Sequence, residues 1–248
     1  MKRLDGKVAI VTGASQGMGE AHARAMVAHG AKVVMTDVNA EAGERIAADL
    51  GSNAVFVKHD VVSHDGWAKV VAEAEARFGT VNVLVNNAGI IGDIASTINF
   101  SEPAWDSVIA INQTGVYLGM QAVLPGMIAL KQGSIVNISS TAGLVAVYGA
   151  PNLAYVASKF AVRGMTKQVA VEFGEYNIRV NSIHPGFIKT PMMAAATDEG
   201  GGDAVSMTPL KRMAEPSEVS DLVVFLASDE SRFITGAEHI IDGGMTAL

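Results

Sequence analysis

The residues best suited to chemistry are a tyrosine and a lysine four positions apart. Tyr155 and Lys159 fall in the helical segment 153–164, so their side chains share one face. A nearby ammonium group favours the phenolate form of tyrosine. A phenol with a lowered pKa can exchange a proton with a secondary alcohol or ketone near neutral pH. The spacing alone is common, since a packed tyrosine beside a surface lysine produces the same pattern.

A glycine-rich turn supplies a second chemical feature. The stretch TGASQGMG at residues 12–19 follows the strand-like run 7–12 and opens the helical run 17–29. Glycines there allow the backbone to approach a pyrophosphate, and the helix N-terminus offers free N–H groups. The residues of this turn predicted to bind a dinucleotide are Gly13, Ser15, Gln16, Gly17, Met18 and Gly19.

An acidic residue ends the second predicted strand. Asp37 lies 20 positions after Gly17, where a carboxylate can accept hydrogen bonds from ribose hydroxyls and repel a 2′-phosphate. Neither Gln16 nor Val38, the predicted neighbours of the ribose, carries a positive charge. The pattern therefore predicts NAD rather than NADP. Asp60 and Val61 follow the third strand at the same edge of the sheet and are predicted to contact the adenine.

Short apolar runs alternate with helical patterns along the whole chain. Predicted strands cover residues 7–12, 32–36, 54–59, 81–85, 134–138, 179–183 and 238–241, and predicted helices include 17–29, 40–50 and 63–78. Near-continuous β-branched runs separated by helices are typical of buried parallel strands. The expected fold is α/β: a single-domain, Rossmann-like, doubly wound parallel sheet flanked by helices on both faces, formed by residues 1–248.

Composition narrows the function classes. The 248 residues carry a net charge of −7 and no basic run, which argues against nucleic-acid binding. Cysteine is absent, which excludes a disulfide scaffold, a thiolate zinc site and a cysteine nucleophile. The six histidines form no i,i+4 pair, so no metal site is predicted. No apolar run has transmembrane length and no secretory signal is evident, so a cytoplasmic protein without membrane association is expected.

Several motifs in order along the chain resemble the short-chain dehydrogenase/reductase family. They are TGxxxGxG at 12–19, Asn86-Asn87-Ala88-Gly89, Asn112, Ser139-Ser140, Tyr155-xxx-Lys159 and Pro185-Gly186. The resemblance covers essentially the whole chain. It implies an enzyme that transfers a hydride between a nicotinamide cofactor and an alcohol or ketone.

The resemblance also implies a role for each catalytic residue. Tyr155 would be the acid/base, and Ser140 would orient the substrate oxygen. Lys159 would bind the nicotinamide ribose and lower the pKa of Tyr155. Asn112 would hold an ordered water that links Lys159 to solvent.

Further residues are implied to bind the cofactor. Beyond Tyr155 and Lys159, they are Asn87, Ala88 and Gly89 after the fourth strand, and Pro185, Gly186, Ile188 and Thr190 around the nicotinamide. The family resemblance further implies a homotetramer, which suits the low charged fraction of 17% against about 25% in typical domains.

The predicted substrate pocket is apolar. Ser140 lies 15 residues before Tyr155, two positions more than is common in the family, so the loop 144–153 is expected to be longer. A lid is predicted at about 189–213, rich in glycine and small residues. The predicted substrate-contacting residues are Ser140, Val145, Tyr148, Tyr155, Phe187, Met192 and Met193. These side chains favour a neutral, apolar alcohol or ketone.

The sequence does not decide the identity of the substrate. Segments 24–37, 177–191 and 214–229 are most similar to bacterial 3α,20β-hydroxysteroid dehydrogenases and cyclic secondary-alcohol dehydrogenases. A steroid, a smaller cyclic alcohol, and a quinone or diketone all remain candidates. Two alternative functions are a 3-oxoacyl carrier-protein reductase and a non-catalytic dinucleotide sensor of the same fold.

Overall fold

The computed structural model describes residues 2–146, 150–194 and 202–247. The strands are β1 (Val8–Thr12), β2 (Lys32–Asp37), β3 (Ala54–Lys58), β4 (Val83–Asn86), β5 (Gly133–Ile138), β6 (Ile178–Pro185) and β7 (Glu238–Ile241). The α-helices are α1 (Gly17–Ala28), α2 (Ala40–Leu50), α3 (His64–Arg77), α4 (Glu102–Ile109), α5 (Gly115–Leu130), α6 (Leu153–Phe173), α7 (Pro191–Ala194), α8 (Gly202–Met207) and α9 (Pro216–Ala227).

The strands form one parallel sheet in the order β3-β2-β1-β4-β5-β6-β7. The predicted doubly wound parallel sheet is therefore confirmed. The chain adds β2 and β3 on one side of β1 and then crosses to add β4 on the other side. Clefts at such a reversal, beyond the carboxyl ends of the strands, are where doubly wound folds bind ligands.

Helices cover both faces of this sheet. Met26 of α1 and Val223 of α9 belong to a buried apolar cluster on one face. Trp67 of α3 and Val162 of α6 belong to a separate cluster on the other. Every residue of β1, β4, β5 and β6 is buried. Burial on both faces explains why residues 8–11 of β1 and 83–85 of β4 are apolar without alternation, whereas β5 and β6 also bury polar side chains such as Asn137 and Asn181.

Element bounds differ from the predicted ones mainly at the ends. The fourth strand begins at Val83 rather than at residue 81, and the helix that carries Tyr155 continues to Phe173. No bounds were predicted for α4, α5 or α9. In α5 the near-continuous apolar sequence hides the helical period that sequence patterns depend on.

A π-helical segment, Ala110–Thr114, joins α4 to α5 and contains Asn112. Such segments are rare and occur often at functional sites.

Within the described ranges, no helix combines the length and the apolar character needed to cross a bilayer.

Candidate active site

The turn between β1 and α1 is shaped for close approach of the backbone to a ligand. Gly13 and Gly17 adopt φ angles of +64° and +57°, which glycine tolerates and other residues rarely adopt. A Cβ atom at Gly19 would lie 2.0 Å from the carbonyl oxygen of Gly13. Because α1 begins at Gly17, the free N–H groups of its first turn lie beside these glycines. This arrangement suits a phosphate group.

A cavity of about 260 Å³ opens beside this turn, at the reversal between β1 and β4. The predicted cofactor residues that line it are Gly13, Gln16, Gly17, Met18, Gly19, Asp37, Val38, Asp60, Val61, Asn87, Ala88, Gly89 and Thr190. Residues not predicted for the cofactor also line it: His59, Ile90, Ile111, Pro191 and Met192.

The carboxylate of Asp37 is held by backbone groups at the end of β2. It accepts hydrogen bonds from the backbone N–H of Ser15 at 3.1 Å and of Asn39 at 3.0 Å. The Ser15 hydroxyl donates to the carbonyl of Asn39. Ser15 is buried and does not line the cavity, so it holds Asp37 in place rather than contacting the cavity itself. The carboxylate keeps free lone pairs on the cavity side.

Thr12 and Asn87 join the ends of β1 and β4. The Thr12 hydroxyl oxygen accepts from the N–H groups of Asn87 and Ala88, each at 3.0 Å. The Asn87 amide donates in turn to the carbonyls of Thr12 and Gly13. The glycine turn is therefore tied directly to the 87–89 segment that continues the cavity toward α6.

Tyr155 and Lys159 lie near the N-terminus of α6, as predicted. Lys159 is buried, and its Nζ donates to the backbone oxygen of Ile138 at 3.0 Å, at the end of β5. The same atom lies 5.5 Å from the centre of the Tyr155 ring. A Cβ atom at Gly89 would lie 3.5 Å from this Nζ, so the cavity reaches the predicted catalytic pair at Gly89.

The pKa values of the pair are shifted mainly by burial. Burial lowers the pKa of Lys159 to about 8. Burial also raises the pKa of Tyr155 above its usual value of 10.0, and the hydrogen bond with Ser140 only partly opposes this rise. The net shift of the Tyr155 pKa is therefore upward, and the lowering attributed to Lys159 stays a prediction. Sequence spacing identifies the pair but does not reveal how deeply the two groups are buried.

Ser140 lies where β5 ends and is within hydrogen-bonding reach of Tyr155. Its Oγ accepts from the N–H of Ala142 at 3.1 Å and caps a short 3₁₀ turn. Its backbone oxygen lies 3.0 Å from Nδ1 of His184, a buried residue of β6. Ser139 instead turns inward, and its hydroxyl donates to the backbone oxygen of Lys159. Ser140 is thus the serine placed beside Tyr155.

Asn112 is fully buried in the π-helical segment. Its Oδ1 accepts from the N–H of Ile90 and its Nδ2 donates to the carbonyl of Ile90, both at 2.8 Å. Nδ2 also donates to the hydroxyl of Ser158 on α6. Both amide hydrogens are therefore used. In this arrangement the side chain fixes the loop after β4 against α6.

Only some of the cofactor residues predicted at the end of β6 and in the segment after it line the cavity. Gly186 pairs through its N–H with Ile241 of β7. Ile188 packs its side chain into the core and forms a bridge with Ala214. Pro185, Gly186 and Ile188 do not line the cavity, whereas Thr190 does.

The predicted substrate residues are less tightly grouped. Met192 lines the cavity, whereas Val145, Phe187 and Met193 do not. Val145 is exposed, and Phe187 and Met193 are half-buried. Tyr148 lies outside the described residues. The predicted lid includes α7 and α8, and its residues 195–201 also lie outside them.

Metal binding was not predicted. Within the part of the chain that the structure describes, no group of three or more histidine or carboxylate side chains is arranged to hold a metal ion.

The cavity fits a dinucleotide. Its glycine turn admits no Cβ at Gly19, its ribose end carries the Asp37 carboxylate, and its far end reaches Lys159 through Gly89. The buried Oδ1 atom of Asn87 has no partner within the protein. Buried polar atoms without a partner are uncommon and point to a bound group.

Comparison with known proteins agrees with this geometry. A family model described as enoyl-(acyl carrier protein) reductase matches residues 13–246. The 3-alpha-(or 20-beta)-hydroxysteroid dehydrogenase of Mycobacterium tuberculosis (strain ATCC 25618 / H37Rv) is 48% identical over 99% of this chain and 91% of its own. The trans-4-hydroxycyclohexanecarboxylate dehydrogenase of Sinomonas cyclohexanicum is 46% identical over 99% of this chain and 95% of its own.

A solved structure and a further relative add detail. The crystal structure of levodione reductase superposes with a TM-score of 0.93 at 33% identity, covering 99% of each chain. The NADP-dependent (R)-specific alcohol dehydrogenase of Lentilactobacillus kefiri is 42% identical over 99% of this chain and 98% of its own. Similarity alone thus supports a nicotinamide cofactor without choosing between NAD and NADP.

Some residues of the site were missed by sequence reasoning. His59, Ile111 and Pro191 line the cavity, and each directly precedes or follows a predicted residue in the chain. Their positions in the chain, next to Asp60, Asn112 and Thr190, could have identified them as cavity residues. His184 and its contact with Ser140 had no comparable signal, because Ser140 follows β5 whereas His184 lies in β6.

Proposed function

The chain belongs to the short-chain dehydrogenase/reductase family, and from this premise we propose that it is an NAD(H)-dependent oxidoreductase. It interconverts an apolar secondary alcohol and the corresponding ketone. The observation that carries the proposal is the grouping of Tyr155, Ser140 and Lys159 at the end of the dinucleotide-shaped cavity, which reaches them at Gly89.

Each catalytic side chain has a distinct task in this proposal. During oxidation Tyr155 takes the proton of the substrate hydroxyl, and during reduction it returns a proton to the ketone oxygen. Ser140, which already reaches the tyrosine oxygen, orients the substrate oxygen beside it. A bound nicotinamide dinucleotide supplies or accepts the hydride. The overall oxidation converts alcohol and NAD⁺ to ketone, NADH and one proton.

Lys159 and Asn112 support the tyrosine. The buried ammonium of Lys159 binds the nicotinamide ribose hydroxyls and favours phenolate when Tyr155 loses its proton. The proton leaves through an ordered water beside Asn112. Because both Nδ2 hydrogens of Asn112 are engaged, this water bonds to Oδ1 or to the backbone oxygen.

The carboxylate of Asp37 supports NAD over NADP. Its negative charge lines the ribose end of the cavity, and Gln16 and Val38 beside it supply no cation. A 2′-phosphate at this position would meet a carboxylate rather than an arginine or a lysine.

The apolar lining supports a neutral substrate. Met192 extends the cavity wall beyond the predicted cofactor residues, and Phe187 and Met193 lie on the same chain segment. Thioether side chains adapt to bulky apolar ligands. We place the substrate among hydroxysteroids and cyclic or aryl secondary alcohols, under a lid formed by residues 189–213 of a single domain.

The test is absorbance of NADH with the purified protein. The panel contains cyclohexanol, 1-phenylethanol and 3α-, 17β- and 20β-hydroxysteroids, each with NAD and with NADP. NAD-linked turnover of one group is expected, and Tyr155→Phe should lower it by about 100-fold or more while NADH still binds. Retained turnover in that variant would refute the acid/base assignment. Absence of turnover across the panel with NADH binding intact would instead favour an acyl substrate or a dinucleotide sensor.

We also propose that the protein forms a homotetramer. We place it in the cytoplasm, where the nicotinamide pool is available. Phe160 and Val171 on α6 and Ile240 on β7 expose 40%, 83% and 52% of their surfaces, and β7 is an edge strand. Apolar surface beside a strand edge is suited to a symmetric subunit contact. Light scattering after size exclusion tests the proposed mass.

A further inference from the structure

We infer that Asn152 is a positioning residue for Tyr155, and this inference rests on the proposed function of the same site. Asn152 directly precedes α6 and is 8% exposed. Its two side-chain ends bond to two different structural elements. One end reaches the catalytic helix and the other reaches the loop between β4 and α4.

The oxygen end of Asn152 caps α6. Its Oδ1 accepts from the backbone N–H of Tyr155 at 3.0 Å. Tyr155 is the third residue of the helix, the position whose N–H an N-cap side chain normally satisfies. The cap therefore fixes the backbone of the proposed acid/base residue itself rather than a remote part of the helix.

The Nδ2 end of Asn152 binds the loop between β4 and α4, which forms the wall of the cleft opposite α6. Its Nδ2 donates to the backbone oxygen of Ile91 at 2.7 Å. The adjacent Pro151 accepts from the N–H of Ala95 at 3.0 Å. Two consecutive residues at the end of the 144–153 loop therefore bind the loop that follows Gly89 and Ile90, which line the cofactor cavity.

Besides the hydrogen bond between Ala95 and Pro151, two side chains anchor this wall. Asn112 fixes Ile90 through both its N–H and its carbonyl, whereas Asn152 fixes Ile91 and links it to Tyr155. Losing the hydrogen bond between Asn152 and Ile91 leaves Ile90 held by Asn112 at the cavity. It loosens the loop from Ile91 onward, on the side of Tyr155. We therefore expect substrate positioning to suffer while cofactor binding is preserved.

Asparagine performs both tasks because it carries an acceptor and a donor. Asn152→Asp keeps an N-cap acceptor but has no donor for Ile91. Asn152→Ser also keeps the acceptor, but its hydroxyl lies one bond closer to the backbone than Nδ2 and is too short to reach the Ile91 oxygen. Asn152→Ala loses both. If Asn152 were only a cap, the aspartate and serine variants would restore both the melting temperature and turnover.

We expect those two variants to restore the melting temperature alone. Their kcat should fall about 10-fold or more and the KM for the alcohol should rise, because small displacements of reacting groups are costly. The Kd for NADH should stay within about twofold of that of the unchanged protein. Asn152→Ala should show the same kinetic loss together with a lower melting temperature.

Ser101→Ala is the matched control. Ser101 caps α4 through the N–H of Ala104, and its exposed side chain lies outside the site. This variant should lower the melting temperature without changing kcat or KM. Wild-type kinetics in both Asn152→Asp and Asn152→Ser would overturn the inference.

A readout without substrate separates this inference from the proposed activity. Hydrogen–deuterium exchange in the holoenzyme with NADH should accelerate at Ala95 and its neighbours in Asn152→Asp and Asn152→Ser, while the first turn of α6 stays protected. Unchanged exchange at the loop would overturn the tether even if the enzyme turns over. Faster loop exchange in a protein without alcohol turnover would support the tether and refute only the activity.

Discussion

The Nδ1 atom of His184 lies 3.0 Å from the backbone oxygen of Ser140. A carbonyl oxygen only accepts, so Nδ1 carries the proton of this ring. The Nε2 atom, 2.8 Å from the Ser182 hydroxyl, then accepts from it. Burial lowers the pKa of His184 and favours this neutral form. The imidazole therefore holds Ser140, the residue that we propose orients the substrate oxygen.

His184→Phe should lower kcat about 10-fold, because it removes the donor to Ser140 while keeping a ring of similar size. His184→Asn should retain most turnover, since its amide nitrogen can occupy the place of Nδ1. Steady-state kinetics and NADH titration measure both effects, and the Kd for NADH should not change.

His22→Phe is the control for loss of a buried histidine. His22 is fully buried and pairs with Ser220 between α1 and α9, away from Ser140. This variant should change the melting temperature but not kcat. Equal kcat losses in His184→Phe and His184→Asn would argue against the hydrogen bond as the cause.

Sequence reasoning succeeded where function depends on neighbours along the chain. The glycine turn and Asp37 each follow a recognisable strand, and the reversal between β1 and β4 brings both to one cavity. It failed for contacts between distant segments. Asn152 contacts Ile91, which is 61 positions away in the chain, and His184 contacts Ser140, which is 44 positions away. Local sequence spacing predicts neither contact.

The pKa values of Tyr155 and Lys159 could not be predicted from their sequence spacing either. The four-residue interval placed Tyr155 and Lys159 on one face, but the depth of burial determines their pKa values. That depth is set by the packing of β5, α6 and the loop after β4 together. An electrostatic argument from two residues alone therefore leaves out the burial that raises the pKa of Tyr155.

The raised pKa of Tyr155 predicts opposite pH trends for the two directions of reaction. The phenol form is the acid that reduction needs, and it persists at neutral pH. The phenolate form is the base that oxidation needs, and it grows as pH rises toward the tyrosine pKa. We expect kcat/KM for oxidation to increase from pH 7 to about pH 8, above which Lys159 loses the proton that makes it an ammonium, and kcat/KM for reduction to fall at alkaline pH.

Both profiles should be measured at constant ionic strength with the same alcohol and ketone pair. Parallel profiles in the two directions would contradict a single tyrosine serving as both acid and base. Tyr155→Phe provides the control, since any residual rate should lose this opposing pH dependence.

Lys159→Met should separate activity from stability. Turnover should fall about 100-fold or more, because the ammonium that supports the phenolate is lost. The shift of the lysine pKa from 10.5 to about 8 corresponds to about 3 kcal/mol of burial cost at pH 7. Removing the charge recovers this cost, whereas the unpaired carbonyl of Ile138 costs about 1–3 kcal/mol. The melting temperature at pH 7 should therefore change little.

Alkaline pH should reverse this balance. Between about pH 8 and pH 10.5 the unfolded chain holds the lysine proton more tightly than the folded protein, so the stability of the unchanged protein gains from this group as pH rises. Lys159→Met lacks that gain and should melt below the unchanged protein at pH 10. Lys69→Met, an exposed substitution on α3, should show no such crossover. A constant difference in melting temperature from pH 7 to pH 10 would contradict the assigned burial cost.

Asp37→Asn should weaken the preference for NAD over NADP. The asparagine keeps an acceptor for the N–H groups of Ser15 or Asn39 but removes the negative charge that opposes a 2′-phosphate. The ratio of kcat/KM values for NAD and NADP should fall about 10-fold, equivalent to about 1.4 kcal/mol. Most of the change should come from a lower KM for NADP.

Fluorescence titration with NADH and NADPH measures the same preference without a substrate. Asp49→Asn is the control, because Asp49 is exposed at the end of α2 and pairs with Arg24 outside the cavity. An unchanged ratio in Asp37→Asn would show that the carboxylate does not contact the ribose. Preference for NADPH in the unchanged protein would refute the NAD assignment itself, because the described residues that line the cavity include no lysine or arginine to bind the 2′-phosphate.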